Sequence, residues 1–186
     1  MPFVFQYGSN CDAARLNGLG RLGGAAEDRG KAQTVAEFEI AFDVWSQGNA
    51  CAAADLVEAA GSGHHAWGVL YEIPADRIDR MSSRGKRTLS DIEGTRYQPV
   101  QIRVGEITGK EVDAITFTVK KESKAKGLWT TARYVAHIVN GLRAHGVPEE
   151  YVQHVIDAAI RQNQSAENAA ALETTLLSEL RMGHAP

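Results

Sequence analysis

The chain has 186 residues, 44% of them hydrophobic, with 20 Lys and Arg against 23 Asp and Glu for a formal net charge of −3. That length is enough for one good core, so one domain is the default, and the apolar share argues against a wholly disordered chain. With no basic excess, Lys120-Lys121 and the Lys124 and Lys126 pair read as solvated turns rather than a nucleic-acid footprint. No apolar run approaches the roughly 20 residues of a membrane span. The start Met1-Pro2-Phe3 lacks a signal-peptide pattern, and two cysteines with no Cys-x-x-Cys make no disulfide framework. A cytoplasmic protein with neither membrane nor nucleic-acid partner is expected.

The first predicted element is a short strand with Phe3, Phe5 and Tyr7 on one face and Gln6 on the other. It ends in the turn Gly8-Ser9-Asn10, where Gly8 offers backbone angles closed to other residues and Ser9 or Asn10 would cap a helix starting near Cys11-Asp12. That helix covers Asp12 to Asn17, with Gly18 as its stop, and Gly18 to Gly30 reads as a glycine-rich loop. Ala36, Phe38, Ile40, Phe42 and Val44 alternate as the clearest strand, followed by strands at Ala50–Leu56 and His65–Ile73. Pro74 precedes a helix at Asp76–Met81, and Ser82–Arg87 is a basic loop. Gln98–Val104 and Val112–Val119 pair as a hairpin across Gly105–Gly109.

Beyond Lys120 the period becomes helical. Tyr134, Ile138 and Leu142 mark one helix, Gly146 stops it, and Pro148 starts the next, with Val152, Val155, Ile156 and Ile160 on its apolar face. A last helix runs from Ala166 to Leu180, capped by Ser165 and striped by Ala169, Leu172, Leu176 and Leu180. The expected division is a domain over 1–163 and a helical tail over 164–186 that packs on that domain or on a partner subunit, leaving a homo-oligomer open.

A strand ending in a glycine turn at a helix start presents free N–H groups suited to a small anion. Taken with a second element, Asp91-Ile92-Glu93-Gly94, the order of motifs resembles the γ-glutamylcyclotransferase family, of the AIG2-like fold. The resembling segments are Phe3 to Asn10, Arg15-Leu16, Glu39 to Asp43, Trp67 to Ile73, Glu93-Gly94, Tyr134, Gly146-Val147-Pro148 and Glu150-Tyr151. The resemblance implies an α+β fold with a mixed, partly closed β-sheet or small barrel flanked by helices. It implies an enzyme of glutathione metabolism that releases 5-oxoproline from a small γ-glutamyl substrate, with no cofactor and no metal. By the same resemblance Glu93 is the catalytic proton shuttle, and Tyr7, Gly8, Ser9, Asn10 and Tyr134 bind the substrate.

The chemistry asks for such a set. The substrate's α-amine attacks its own δ-carbonyl, so the barrier is conformational, protonic and electrostatic. One carboxylate between the two nitrogens can take a proton from the amine and return it to the leaving nitrogen, provided burial raises its pKa. Read without the resemblance, Glu93 is one more solvated carboxylate, Tyr134 a core residue, and Asn10 a helix cap. A non-catalytic binding domain of the same fold, and a cyclotransferase acting on γ-glutamylamines or another conjugate, are the alternatives.

The family pattern is broken in four places: Ser90 stands where members often carry Asp, Met81–Leu89 reads as an insertion whose basic tip could favour an acidic leaving portion at the pocket mouth, the spacing from Glu93 to Tyr97 is short, and Cys11 takes the hydrophobic position after Asn10. Other signals carry less. Gly18-Leu19-Gly20-Arg21-Leu22-Gly23 has dinucleotide-fingerprint letters but follows a helix rather than a strand. His64-His65 lack spaced partner ligands, Cys11 and Cys51 read as buried structural thiols, and Trp45, Trp67 and Trp129 as core or rim residues.

Overall fold

The computed structural model describes residues 1–79, 85–163 and 166–182. Its strands are β1 (Phe3–Gln6), β2 (Glu27–Thr34), β3 (Phe38–Ser46), β4 (Cys51–Glu58), β5 (Trp67–Glu72), β6 (Tyr97–Glu106) and β7 (Glu111–Val119). Five close into a barrel in the order β1-β5-β2-β6-β7, while β3 and β4 form a separate two-stranded sheet. β1 lies antiparallel to β5, with Phe5 opposite Leu70, and closes the barrel against β7 in parallel through Val4 and Ile115. The expected hairpin is β6–β7, in register from Tyr97 opposite Val119 to Gly105 opposite Glu111. Its alternation buries Ile102, Val104, Val112, Ala114 and Val119. The small barrel flanked by helices matches the expected α+β class.

β2 is a correction. The sequence reads as loop to Gly30 and has no apolar period through Thr34, yet Glu27–Thr34 is a barrel strand. It pairs with β5 from Glu27 to Gln33 and with β6 only from Ala32 to Thr34. Within the strand only Ala32 and Thr34 are buried, so backbone pairing rather than an apolar face holds it. Asp76–Met81 is a second correction: the described part holds only a 3₁₀ turn at Ala75–Arg77, and Met81 lies outside the described residues.

The helices are α1 (Ala13–Leu16), α2 (Leu89–Glu93), α3 (Ala132–Ala144), α4 (Glu149–Gln162) and α5 (Ala166–Met182). α1 is capped by the Asp12 side chain, which accepts from Arg15 N–H, not by Ser9 or Asn10 as expected. Leu172, Leu176 and Leu180 of α5 are buried, and the helix packs on α3 and α4 of its own chain. The expected cap, Ser165, lies outside the described residues.

β4 is built of small residues, Cys51-Ala52-Ala53-Ala54, all buried. Their size lets other elements reach its backbone. Ala52 N–H donates to the Trp129 carbonyl at 2.7 Å, and Thr130 Oγ1 donates to the Ala52 carbonyl at 2.9 Å. Ala54 is satisfied on both sides by tyrosines: its N–H donates to Tyr134 Oη at 3.0 Å, and its carbonyl accepts from Tyr97 Oη at 2.7 Å. A strand edge thus brings two aromatic hydroxyls to one end of the barrel.

Candidate active site

β1 runs directly into Tyr7-Gly8 and a 3₁₀ turn at Ser9–Cys11, closed by Cys11 N–H to the Gly8 carbonyl at 2.9 Å. The Tyr71 hydroxyl donates to the Asn10 and Cys11 carbonyls, at 3.3 Å each. α3 crosses behind the turn so closely that a Cβ on Gly141 would lie 2.3 Å from the Cys11 carbonyl carbon, so no larger residue fits there. Across from the turn, α2 presents Glu93. Thr88 and Asp91 form a reciprocal capping box that starts this short helix. Gly94, at φ 80°, ends it immediately after Glu93 in the left-handed region that glycine tolerates.

The two elements meet at one small cavity of about 30 Å³. All six expected residues, Tyr7, Gly8, Ser9, Asn10, Glu93 and Tyr134, line it, together with Gln6, Ala54, Tyr97 and Phe117. Asn10 Nδ2 donates to Glu93 Oε1 at 2.8 Å. On its other side Asn10 Oδ1 accepts from Arg21 Nη2, so the asparagine is clamped between a guanidinium and the carboxyl. Burial raises the Glu93 pKa to about 7, against the opposing pull of Arg21, Asn10, Gln6 and Arg15. Burial and the neighbouring Arg15 lower the Arg21 guanidinium to about 10.

The residues do not all contribute as expected. Gly8 has an extended backbone, φ −94° and ψ −153°, so the turn does not need glycine's left-handed freedom. What glycine provides is room, since a Cβ there would sit in the cavity 3.6 Å from Ala54 Cβ and 3.7 Å from Tyr134 Oη. The Tyr7 hydroxyl is spent on the Phe117 carbonyl at 2.6 Å, tying β1 to β7, which leaves its ring as wall. Tyr134 Oη accepts from Ala54 N–H, leaving its proton to donate, and it faces the Ser9 hydroxyl. Burial raises the Tyr134 pKa to about 12, so the phenol stays protonated.

Three further residues belong to the site. Arg21 lies in the glycine-rich segment set aside above. Tyr97 looks like the first residue of a strand. Gln6 occupies the polar position of β1 but points into the protein, being only 4% exposed. Its Nε2 lies close enough to Glu93 to favour the carboxylate, yet it is in hydrogen-bond geometry with no acceptor. The only signal for Gln6 was a polar residue in a strand otherwise wholly apolar. Of the basic loop, 82–84 lie outside the described residues, Lys86 pairs with Asp76 at 3.8 Å, and Arg87 donates to the Gly20 carbonyl. Cys11 is fully buried and its thiol pKa is pushed up by burial, which agrees with a structural thiol. Among the described residues no group of three His, Cys, Asp or Glu could hold a metal ion, and no helix is long and apolar enough to cross a membrane.

Fold and site define a class: a small α+β barrel with a partly buried carboxyl facing the turn that ends its first strand. A model of the AIG2-like family matches residues 65–155. Among solved structures, one named gamma-glutamyl cyclotransferase aligns with a TM-score of 0.69 at 18% identity, covering 93% of this chain and 98% of that one. An uncharacterized protein from Homo sapiens aligns at 0.68 with 19% identity, over 92% and 97% of the two chains. YkqA from Bacillus subtilis aligns at 0.58 with 21% identity, over 95% of this chain but only 54% of that one. A search of the curated proteins finds no match. The chain thus matches the AIG2-like family model over residues 65–155 and shares the fold of the solved structure named gamma-glutamyl cyclotransferase.

Proposed function

We propose that this chain is a γ-glutamyl cyclotransferase, releasing 5-oxoproline from a γ-glutamyl amide without a cofactor. The observation that carries the reading is the Glu93 carboxyl, poised near pH 7 in the cavity that it shares with the Gly8-Ser9-Asn10 turn. A general acid–base is most effective with its pKa near the working pH, where both forms are populated. In this reading ionised Glu93 takes a proton from the substrate's α-ammonium. The freed amine attacks the δ-carbonyl carbon and the new C–N bond closes the five-membered ring; Glu93 passes its proton to the departing nitrogen as the old amide bond breaks, and the regenerated carboxylate takes the second proton from the ring nitrogen, leaving the neutral lactam. Holding amine and carbonyl in one small cavity provides the proximity that an intramolecular attack exploits. The developing oxyanion requires donors already in place. Tyr134 Oη and the unspent Gln6 Nε2 are the candidates.

The test is incubation with γ-glutamyl dipeptides, glutathione and γ-glutamylamines, followed by detection of 5-oxoproline. Glu93→Gln keeps the shape and removes the proton carrier, so turnover is expected to fall at least 10²-fold while ligand binding persists. Full activity in Glu93→Gln sinks the mechanism. Binding without any 5-oxoproline from the unaltered protein favours a non-catalytic binding domain instead.

A further inference from the structure

The glycine-rich segment after α1 and the basic segment before α2 meet beside Asn10. Arg87 donates to the Gly20 carbonyl. Arg77 Nη2 donates to the Leu22 carbonyl at 2.7 Å, and its Nε donates to the Arg87 carbonyl at 2.9 Å. Two guanidiniums, tied to one another, therefore hold the carbonyls on either side of Arg21. Arg21 in turn donates to Asn10 Oδ1.

Both sides of this clasp are anchored. Leu22 is fully buried, and its N–H donates to the Leu16 carbonyl at 3.1 Å. Arg87 directly precedes Thr88, the cap of α2. Ile78, next to Arg77, accepts from the Ser90 N–H at 3.0 Å and the Ser90 hydroxyl at 2.9 Å. The segment that starts the helix of Glu93 thus also holds the loop of Arg21.

A guanidinium can only donate, so the end of Asn10 that faces Arg21 is its oxygen, and the amide NH₂ is left for Glu93 at 2.8 Å. Arg21 has an Nε without an acceptor and like charges nearby on Arg15 and Arg87. Once the loop loosened, this side chain would turn to solvent. Asn10 could then present its oxygen, and Glu93 would be favoured as the acid.

We infer that Arg77 and Arg87 are positioning residues of the site: by holding the Gly20 and Leu22 carbonyls they set Arg21 on Asn10, and so keep the Asn10 amide turned toward the Glu93 carboxyl. Their part in the reaction rests on the cyclotransferase reading of Glu93, while their grip on the carboxyl can be tested without turnover.

The experiment titrates Glu93 by NMR of its labelled carboxyl carbon, a signal assigned by its loss in Glu93→Gln, and follows 5-oxoproline release in the same variants. Glu93 is faced by the charges of Arg21 and Arg15, by the donors Asn10 and Gln6, and by Tyr7, Tyr97 and Tyr134. In the paired variant Arg77→Ala with Arg87→Ala, its titration should move to higher pH by about half a unit or more. The limb of the pH–rate profile that reports Glu93 should move with it, kcat changing more than KM. In an Arg21→Met background the same pair should add nothing, because the residue through which it acts is gone. An unmoved titration overturns the clasp. So does an equal shift with Arg21 present or replaced, which would mean that the two guanidiniums act by charge alone. If the paired variant does not fold, Arg87→Ala, which loses only an exposed side chain, is judged by the same two criteria. A chain that releases no 5-oxoproline loses the cyclotransferase reading, and the clasp still stands or falls on the titration.

Discussion

Two carboxyls lie near Tyr7, Asp55 fully and Glu93 partly buried, and they differ in how their oxygens are satisfied. Asp55 on β4 is fully buried, and its Oδ1 accepts from the backbone N–H of Leu56 and of Val119 at 2.8 Å each. Its Oδ2 meets Lys124 Nζ, which also lies 3.4 Å from Asp43. The carboxyl therefore pins β4 to β7 and to the segment after β7. Glu93 has one neutral donor, Asn10 Nδ2, and around it stand donors with no acceptor, Gln6 Nε2 and Arg21 Nε. Burial raises the pKa of both groups. The comparison teaches that burial alone does not mark a functional carboxyl. One whose lone pairs are all engaged stabilises the fold, and one left short among idle donors is free to exchange a proton and meet a ligand.

The largest effect should come from breaking the satisfied member. Asp55→Ala leaves the Leu56 and Val119 N–H groups buried without an acceptor, while Lys124 keeps Asp43, and urea denaturation should show a loss of about 3 kcal/mol. A loss below about 1 kcal/mol would erase the distinction between the two carboxyls.

Glu93→Gln should act in the opposite sense, and with pH. The folded-state pKa of Glu93, about 7, lies above the ordinary glutamate value. The folded chain therefore holds this proton more tightly than the unfolded chain. Stability tied to it is greatest at acid pH and is lost as pH rises from about 4.5 through 7. Measured by denaturation at pH 5 and pH 8, Glu93→Gln should gain on the unaltered chain by up to about 3 kcal/mol at the higher pH. A pH-independent difference would mean that the carboxyl is not held near neutrality.

Gln6→Leu removes a buried donor that finds no acceptor. Thermal unfolding should show a gain of about 1 kcal/mol, accompanied by slower release of 5-oxoproline. A destabilised Gln6→Leu with unchanged turnover would assign Gln6 to the fold alone.

The smallest effect concerns Arg21. Its charge lowers the Glu93 pKa and its guanidinium holds Asn10. In Arg21→Met the limb of the pH–rate profile that reports Glu93 should move to higher pH, with KM altered less than kcat. An unmoved limb would take Arg21 out of the electrostatics of the site.

Much of this could be read in the chain because it is written locally. Alternation over Gln98–Val104 and Val112–Val119 marks the hairpin, and the four-residue spacing of Tyr134, Ile138 and Leu142 marks α3. Gly146 and Pro148 delimit two helices, since each acts on its own backbone torsions. β2 was not legible because Glu27–Thr34 is held by hydrogen bonds to β5 and β6, which leave no trace in its own side chains. α2 was missed because its start signal, Thr88 with Asp91, departs from the usual Glu or Gln at the third position.

The candidate site divides along the same line. The residue types and the order of Tyr7-Gly8-Ser9-Asn10, Glu93-Gly94 and Tyr134 are properties of the sequence, and so was the chemistry that such residues suit. That Tyr7 spends its hydroxyl on Phe117, that Gly8 keeps the cavity open rather than supplying special torsions, and that Gln6 and Arg21 flank the carboxyl were decided only by barrel closure and the approach of α3. The physical reason is range. Torsional preference and hydrophobic period act within a few residues of the chain. Desolvation of Glu93 and the pairing of its neighbours depend on atoms more than eighty residues away, and those are set only when the fold brings them together.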